Sequence, residues 1–476
     1  MALTVAVDFG STYTKVVAFD LACEELIGVS QSKSTVDSDI TIGLKAALEK
    51  LRTALGREPD VERIVACSSA AGGLRIIAVG LVKILTTKAA EEAALGAGAK
   101  LVGTYSFGLT TEDIREIETE KAPDLILMTG GTDGGNKEVM LCNAALLAQS
   151  CLDVPIVIAG NRVAAQEAQS ILTAAGKYAV VEENVLPELD RLNVEPTRSR
   201  IRDIFMRRIT HAKGLDRAKA IVGDIIMPTP MAVLKGASLL ARGTDEEEGL
   251  GELVVVDIGG ATTDVHSVAH GYPAEPAVIV KGLPEPFEKR TVEGDLGIRY
   301  NALTILEKAG KERIIKRLTT LDRTLPCAVS LEEKIAHLCQ NVDFVPENDE
   351  DALVDFGLAS TAADMAMQRH AGVLKESHFA CGRVQVLHGK DLTGVRVLIG
   401  TGGIFAYGSE SYSILKAAAF NPAYPESMRP MSPAFFVDGR YILYAAGLLA
   451  DTSPTAVLRV LKRHLSKVYG GDLEPL

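Results

Sequence analysis

The sequence predicts an α/β protein made of two related β-rich halves, with an α/β segment inserted into the first. Three observations predict it. An apolar run, Leu3 to Val7, leads into Asp8-Phe9-Gly10-Ser11-Thr12-Tyr13-Thr14-Lys15. A second run, Leu253 to Val256, leads into Asp257-Ile258-Gly259-Gly260-Ala261-Thr262-Thr263-Asp264, about 250 residues further on. From Arg63 onward, strand-like and helix-like stretches alternate, which is the pattern of a parallel sheet with crossover helices.

The elements follow in order. Leu3–Val7, Lys15–Phe19 and Glu25–Ser30 read as an opening β-meander. Asp39 to Leu55 carries apolar residues at helical spacing and stops at Gly56. Strands are expected at Arg63–Cys67, Leu74–Val79, Leu101–Gly103, Asp124–Met128 and Pro155–Ala159. Helices are expected at Thr87–Gly98, Thr111–Lys121, Glu138–Gln149 and Asn161–Ala175. Several of these strands end in small residues, at the sheet edge where open α/β folds hold ligands or partners. Leu189 to Ala212 reads as a polar helix punctuated by Pro196, and Pro230 to Ala241 as a helix of small residues. Glu312 to Ala371 is largely helical, Val395–Ile399 is a buried strand, and the chain closes with Tyr441–Leu449 and a basic helix around Arg459–Lys467.

Composition narrows the function. The 476 residues carry a net charge of -12, which disfavours nucleic acid or an anionic membrane as partner, and 47% are hydrophobic, ample for buried cores. The seven cysteines include no C-x-x-C pair, so free thiols in a reducing compartment are expected rather than zinc or an iron–sulfur cluster. No apolar stretch approaches the roughly 20 residues that span a bilayer. With no basic leader at the start, a cytoplasmic location is expected.

The two Asp-x-Gly segments carry the chemistry. Glycine lets a hairpin turn with its N–H groups facing a polyphosphate, and Ser or Thr hydroxyls add donors without bulk. An Asp at the strand end is a hard ligand for Mg²⁺, usually through its waters. Each segment alone is equally an ordinary hairpin turn; two of them opening two β-rich halves point to one divided phosphate site. No P-loop motif and no dinucleotide-binding G-x-G-x-x-G occurs.

These residues resemble the actin/Hsp70/sugar-kinase superfamily. Asp8–Thr14 is similar to its first phosphate motif and Asp257–Asp264 to its second. Gly400-Thr401-Gly402-Gly403 resembles the adenosine motif. Met227-Pro228-Thr229-Pro230-Met231-Ala232 and Ala445-Ala446-Gly447 resemble the starts and centres of the two connecting helices that form its hinge. Together with Thr129-Gly130-Gly131-Thr132-Asp133-Gly134-Gly135, Ile158–Arg162 and Arg290–Gly297, the chain resembles, nearly end to end, the glutamate mutase (methylaspartate mutase) accessory proteins, the MutL/GlmL family.

The resemblance implies a two-lobed, actin/Hsp70-like ATPase with duplicated RNase H-like domains and an inserted α/β domain. It places the first part of the N-terminal lobe at 1–60, the insertion at 61–190, the rest of that lobe at 191–250 and the C-terminal lobe at 251–476. ATP and Mg²⁺ are the implied ligands, and an adenosylcobalamin-dependent mutase is the implied client of an ATP-driven chaperone or reactivating factor. Asp8, Asp257 and Asp264 would be catalytic, with Asp8 and Asp257 organising the metal. Gly10, Ser11, Thr12, Tyr13, Lys15, Gly259, Gly260, Ala261 and Thr262 would hold phosphates, and Glu293, Asp295, Gly400, Gly402 and Gly403 would lie near the nucleoside.

Other readings stay open. Asp295 is equally a helix N-cap, Lys15 equally a solvated lysine, and Asp264 equally a turn cap. Thr129–Gly135 is an anion-binding nest, with Asp133 as a ligand or base, or a flexible turn. His266 and His270 read as exposed. A small-molecule kinase and a hydantoinase/oxoprolinase-type amidohydrolase are the rival activities, and a non-catalytic scaffold is the third.

Overall fold

The computed structural model describes residues 2–10, 12–35, 39–56, 60–69, 74–189, 191–209, 221–223, 225–273, 278–323, 330–379 and 382–469. Ser11, one of the expected phosphate ligands, lies outside the described residues.

The chain forms two compact units. The first comprises Met1–Ala70, Arg217–Lys281 and Phe287–Leu476, and the second comprises Ala71–Asp216 with Gly282–Pro286.

Within the first unit the same sheet is built twice. In the first copy the order is Glu25–Lys33, Tyr13–Asp20, Leu3–Phe9, Val61–Ser68, Ile225–Pro228. In the second it is Glu288–Glu293, Thr263–Val268, Leu253–Ile258, Val397–Thr401, Ala434–Val437, with Ser466–Tyr469 added at the edge. Counted from its own first strand, each copy has the order 3-2-1-4-5. The first three strands pair antiparallel and the rest of the five parallel in both copies. This duplicated sheet is the actin-like fold that the sequence resemblance implies. The first strands, Leu3–Phe9 and Leu253–Ile258, are central and apolar because both their faces are covered.

Two helices lie in the core that the sheets share. Thr229–Arg242 follows the last strand of the first copy and Leu443–Leu449 that of the second. They cross at Gly236 and Gly447: a Cβ on Gly236 would overlap the Leu443 carbonyl, and one on Gly447 the Ala232 carbonyl. Ala6, Phe19, Val255, Ile399 and Phe436 pack around them. A helical insertion, Lys311–Thr319, Leu331–Gln340 and Asp349–His370, forms a second core with the C-terminal sheet. The hairpin Val373–Phe379 and Gly382–His388, which pairs with Ile279–Lys281, was not expected from the sequence.

The second unit is a five-stranded parallel sheet in the order Lys100–Ser106, Arg75–Gly80, Leu125–Met128, Ile156–Ile158, Ala179–Val181. Helices Lys88–Gly96, Thr111–Glu116, Glu138–Gln149 and Arg162–Ala174 alternate with the strands.

Three expectations change. Val61–Ser68 pairs in parallel with Leu3–Phe9, so the segment from 61 belongs to the first unit and the second unit starts at Ala71 rather than 61. The second unit also runs past 190 to Asp216, through the helix Glu195–Ile209. Pro196 begins that helix instead of interrupting it, as expected where no N–H partner is needed.

Candidate nucleotide site

Each Asp-x-Gly segment is a hairpin closed by its glycine. Gly10 N–H donates to the Tyr13 carbonyl at 3.1 Å, and Gly259 N–H to the Thr262 carbonyl at 2.9 Å. The loop carbonyls are then tied back. Ser34 donates its N–H to Thr12 O and its hydroxyl to Gly10 O, each at 2.8 Å. In the second loop, Ile298 N–H reaches Gly259 O, Arg299 and Tyr300 N–H reach Gly260 O, and Asn301 Nδ2 reaches Ala261 O. A Cβ on Gly297 would overlap Ala261, so this clasp needs glycine there. Holding the carbonyls away leaves the turn amides as the groups to meet an anion. The two loops face one another, since a Cβ on Gly260 would lie 3.8 Å from Thr12 Oγ1.

Four carboxylates gather beneath them. Asp8 is buried and accepts the Thr229 hydroxyl at 2.6 Å, with Cys67 Sγ 3.7 Å away. Asp257 is half-buried at the end of its strand. Asp264, opposite it in the ladder, accepts Thr262 Oγ1 at 2.9 Å and pairs with Arg290 at 2.6 Å. Asp438 is fully buried and accepts the N–H groups of Ile442 and Leu443, each at 2.9 Å, with Thr401 Oγ1 at 3.2 Å. Loss of water and the charges of Asp264, Asp8 and Asp438 push the Asp257 carboxyl up to about 7, with Lys15 acting in the opposite direction. Burial raises Asp438 as well, against its two backbone bonds.

Lys15 is not a free surface lysine. Its Nζ lies 3.6 Å from Asp8 Oδ2 and 3.3 Å from the centroid of the Tyr441 ring. Tyr441 holds a left-handed backbone, φ 54°, where the strand ending at Val437 turns into the second connecting helix.

The donor set fits Mg²⁺. It offers hard carboxylate oxygens with excess negative charge, and a divalent cation is the group that would relieve the crowding around Asp257. Among the described residues no three His, Cys, Asp or Glu side chains group as direct ligands. A cation held by one or two carboxylates and its own waters is the usual habit of Mg²⁺.

The remaining predicted residues divide. Gly402, φ 107°, sits against Ile258 O and within 3.0 Å of Asp257 Oδ1 as judged from a Cβ built there, while Gly403 has open space above it. Gly400 is filled in by the Phe405 ring, so its lack of a side chain serves packing. Glu293 and Asp295 are brought together by Arg369, and Asp295 also takes Lys308 at 2.7 Å. These cations hold Asp295 below the usual carboxylate range, against the burial that would raise it. Asp295 caps no helix, because the following helix begins at Ala302.

In the second unit, Thr129–Gly135 is not a loose turn. Asn161 bonds Gly134 N and Gly135 O, and Asn184 bonds Gly131 O and Asp133 Oδ1. Asp133 also accepts Arg162 N–H.

His266 departs from expectation. It is fully buried on the Thr263–Val268 strand, and neither ring nitrogen has a hydrogen-bond partner among the described residues. Burial takes its pKa down to about 3. His270 is exposed and meets Glu252.

Thr229, Arg290, Arg299, Asp438 and Tyr441 were missed. Thr229 and Arg290 stood inside motifs noted in the sequence without a role of their own, and Asp438 follows an apolar run, Phe435-Phe436-Val437, and precedes a glycine, the pattern of the other two loops in shorter form.

Residues 4–465 match the family model described as MutL protein. The chain belongs to the MutL protein family. It is 46% identical over 462 residues to Protein MutL of Clostridium tetanomorphum, covering 97% of this chain and 98% of that protein. Solved structures with related folds include a glycerol dehydratase reactivase (10% identity, 94% of this chain and 99% of that one, TM-score 0.33). Another is the xylulose kinase of Bifidobacterium adolescentis (13% identity, 95% and 94%, TM-score 0.29).

Proposed function

We propose that this MutL-family protein is an ATP-driven accessory factor, a chaperone or reactivating factor for an adenosylcobalamin-dependent mutase such as glutamate mutase. The observation that carries the ATPase half of this reading is the pair of matched hairpins facing each other over four carboxylates. The client half rests on the family resemblance.

In this reading Asp8 and Asp257 hold the cation through its waters. Ser11, Thr12, Tyr13, Lys15 and the amides and hydroxyl of Gly259–Thr262 hold the phosphates. Gly402 and Gly403, with Glu293 and Asp295, border the nucleoside. When bound, Mg²⁺ would neutralise charge on the phosphate oxygens. Asp264, fixed by Arg290 and Thr262, orients a water for attack. A ligand bridging the two hairpins draws the lobes together, and its cleavage removes the bridge. The lobes then shift about the Thr229–Arg242 and Leu443–Leu449 helices. A client that binds the two states unequally is worked upon; one that binds them equally is not.

The test is ATP hydrolysis by the purified protein with and without an inactivated adenosylcobalamin mutase, scoring recovery of mutase activity. ATP-dependent recovery that is lost in Asp8→Ala/Asp257→Ala supports the proposal. Turnover without recovery of glutamate mutase or related aminomutases sinks the client half and favours the kinase or amidohydrolase reading.

A further inference from the structure

Asp364 lies within the helix Asp349–His370, in the stretch Ala362-Ala363-Asp364-Met365-Ala366, and is fully buried. A carboxylate in such a place stays charged only beside cations. Three arginines supply them. Arg313 and Arg317 stand four residues apart, on one face of the helix Lys311–Thr319. Both donate to Asp364 Oδ2 through Nη2, Arg313 at 2.6 Å. Arg429 donates to Oδ1 through Nη1, also at 2.6 Å. All four residues belong to the first unit.

The cluster carries more positive charge than the protein answers. Among the described residues, Asp364 is the one carboxylate that pairs with any of the three arginines. Three guanidinium charges against one carboxylate leave two uncompensated. Arg429 is held from behind: its Nε donates to Ser427 Oγ at 3.0 Å, and its Nη1 also reaches the Ala417 carbonyl at 3.3 Å, in the last turn of the helix Ser411–Ala418. Its side chain is 0% exposed, yet Nη2 donates to nothing among the described residues. Arg313 and Arg317 form the outer side, 26% and 19% exposed. Each makes one hydrogen bond among the described residues, the one to Asp364, and so keeps most of its fork free. The Arg313 guanidinium also lies over the Tyr424 ring, 5.8 Å from its centroid, which steadies it. A buried ion pair needs one cation for its carboxylate, and each surplus charge adds a desolvation cost. An oxyanion is the group that removes the surplus, and phosphate is the one whose oxygens and charge match several guanidinium forks at once.

We propose that Arg313, Arg317 and Arg429 form a binding site for a dianionic oxyanion of the phosphate class, either free phosphate or the phosphoryl group of a small monoester. Arg313 and Arg317 make the outer contacts. Arg429 supplies charge from within, and Asp364 is the positioning residue that holds the three guanidiniums on one centre. The site is separate from the two Asp-x-Gly hairpins and does not rest on the ATP reading.

Calorimetric titration of the full chain in phosphate-free buffer tests it, with inorganic phosphate and glycerol 3-phosphate as separate probes. The expected result is one saturable site with a Kd below about 1 mM for inorganic phosphate. Arg313→Gln and Arg317→Gln each weaken it at least about tenfold. Arg317→Lys, which keeps the charge and loses the fork, falls between Arg317→Gln and the wild type. Thr12→Val/Thr262→Val leaves it within about twofold, because those hydroxyls belong to the hairpins. Binding of glycerol 3-phosphate as well marks a monoester as the ligand, and binding of inorganic phosphate alone marks the free ion. Hydrogen exchange on the wild type needs no variant: phosphate slows exchange in 311–319 by at least about twofold. No saturable binding up to about 20 mM phosphate, full affinity in both Gln variants, or unchanged exchange in 311–319 overturns the proposal. So does binding that disappears in Thr12→Val/Thr262→Val, since the phosphate then sits in the hairpins.

Discussion

Asp257 and His266 sit on paired strands of one hairpin and titrate in opposite senses. Asp257 has a folded value of about 7 against an ordinary 3.8, so its contribution to stability is full below about 4 and is lost as pH rises through 7. His266 has a folded value of about 3 against 6.5, so its contribution is full above 6.5 and is lost as pH falls toward 3. Between about pH 4 and 6.5 the two slopes, each at most about 1.4 kcal/mol per pH unit, offset one another. Metal-free Asp257→Asn should therefore lose melting temperature more steeply on acidification than the wild type, and His266→Leu less steeply. At neutral pH Asp257→Asn should be more stable than the wild type, by on the order of 1–2 kcal/mol for a half-buried carboxylate. Arg290→Ala should cost about 3–5 kcal/mol in denaturant unfolding, because it removes one partner of a buried ion pair and leaves Asp264 without its guanidinium. The acids at Asp8, Asp257 and Asp264 were readable because each stands in a short local pattern. The pairing of Thr229 with Asp8 and of Arg290 with Asp264 was not, because those partners arrive from elements distant in sequence, and only the sheet order brings them in.

At the scale of elements, the hairpins and the long helices were the most legible. Local hydrogen bonding decides both: Asp39 caps Ile40–Leu55 and Gly56 closes it in the left-handed region, as the sequence pattern implied. The three-residue strand Ala179–Val181 was missed since it is too short to show a period, and parallel pairing with Ile156–Ile158 is what defines it. The Val373–Phe379 hairpin was obscured by its charged, half-exposed face. The two connecting helices were visible as runs of small residues, and the structure shows why those residues are small. Gly236→Ala and Gly447→Ala should each force the helices apart. The expected cost is about 1–3 kcal/mol or more in thermal unfolding, whereas Gly403→Ala, with open space above it, should cost well under that.

For the whole molecule, the duplicated strand order 3-2-1-4-5 supports the proposal that two hairpins serve one site. Duplication was inferable from two Asp-x-Gly segments, but the limits of the insertion were not. Val61–Ser68 looks like the first strand of an α/β run, and only its pairing with Leu3–Phe9 assigns it to the first unit. Across the two sheets of that unit, Lys33 of the first pairs with Asp343 of the helical insertion in the second. The pair is exposed, so Lys33→Ala should speed nucleotide release by no more than about fivefold, and the effect should vanish in high salt when release is followed by stopped flow. The central claim is best tested by titrating ATP with Mg²⁺ into the wild type, Thr12→Val and Thr262→Val in a calorimeter. One ATP per chain, weakened in both variants because each hairpin supplies half of a single site, is the predicted result. Wild-type affinity in either variant, or two ATP per chain, would contradict it.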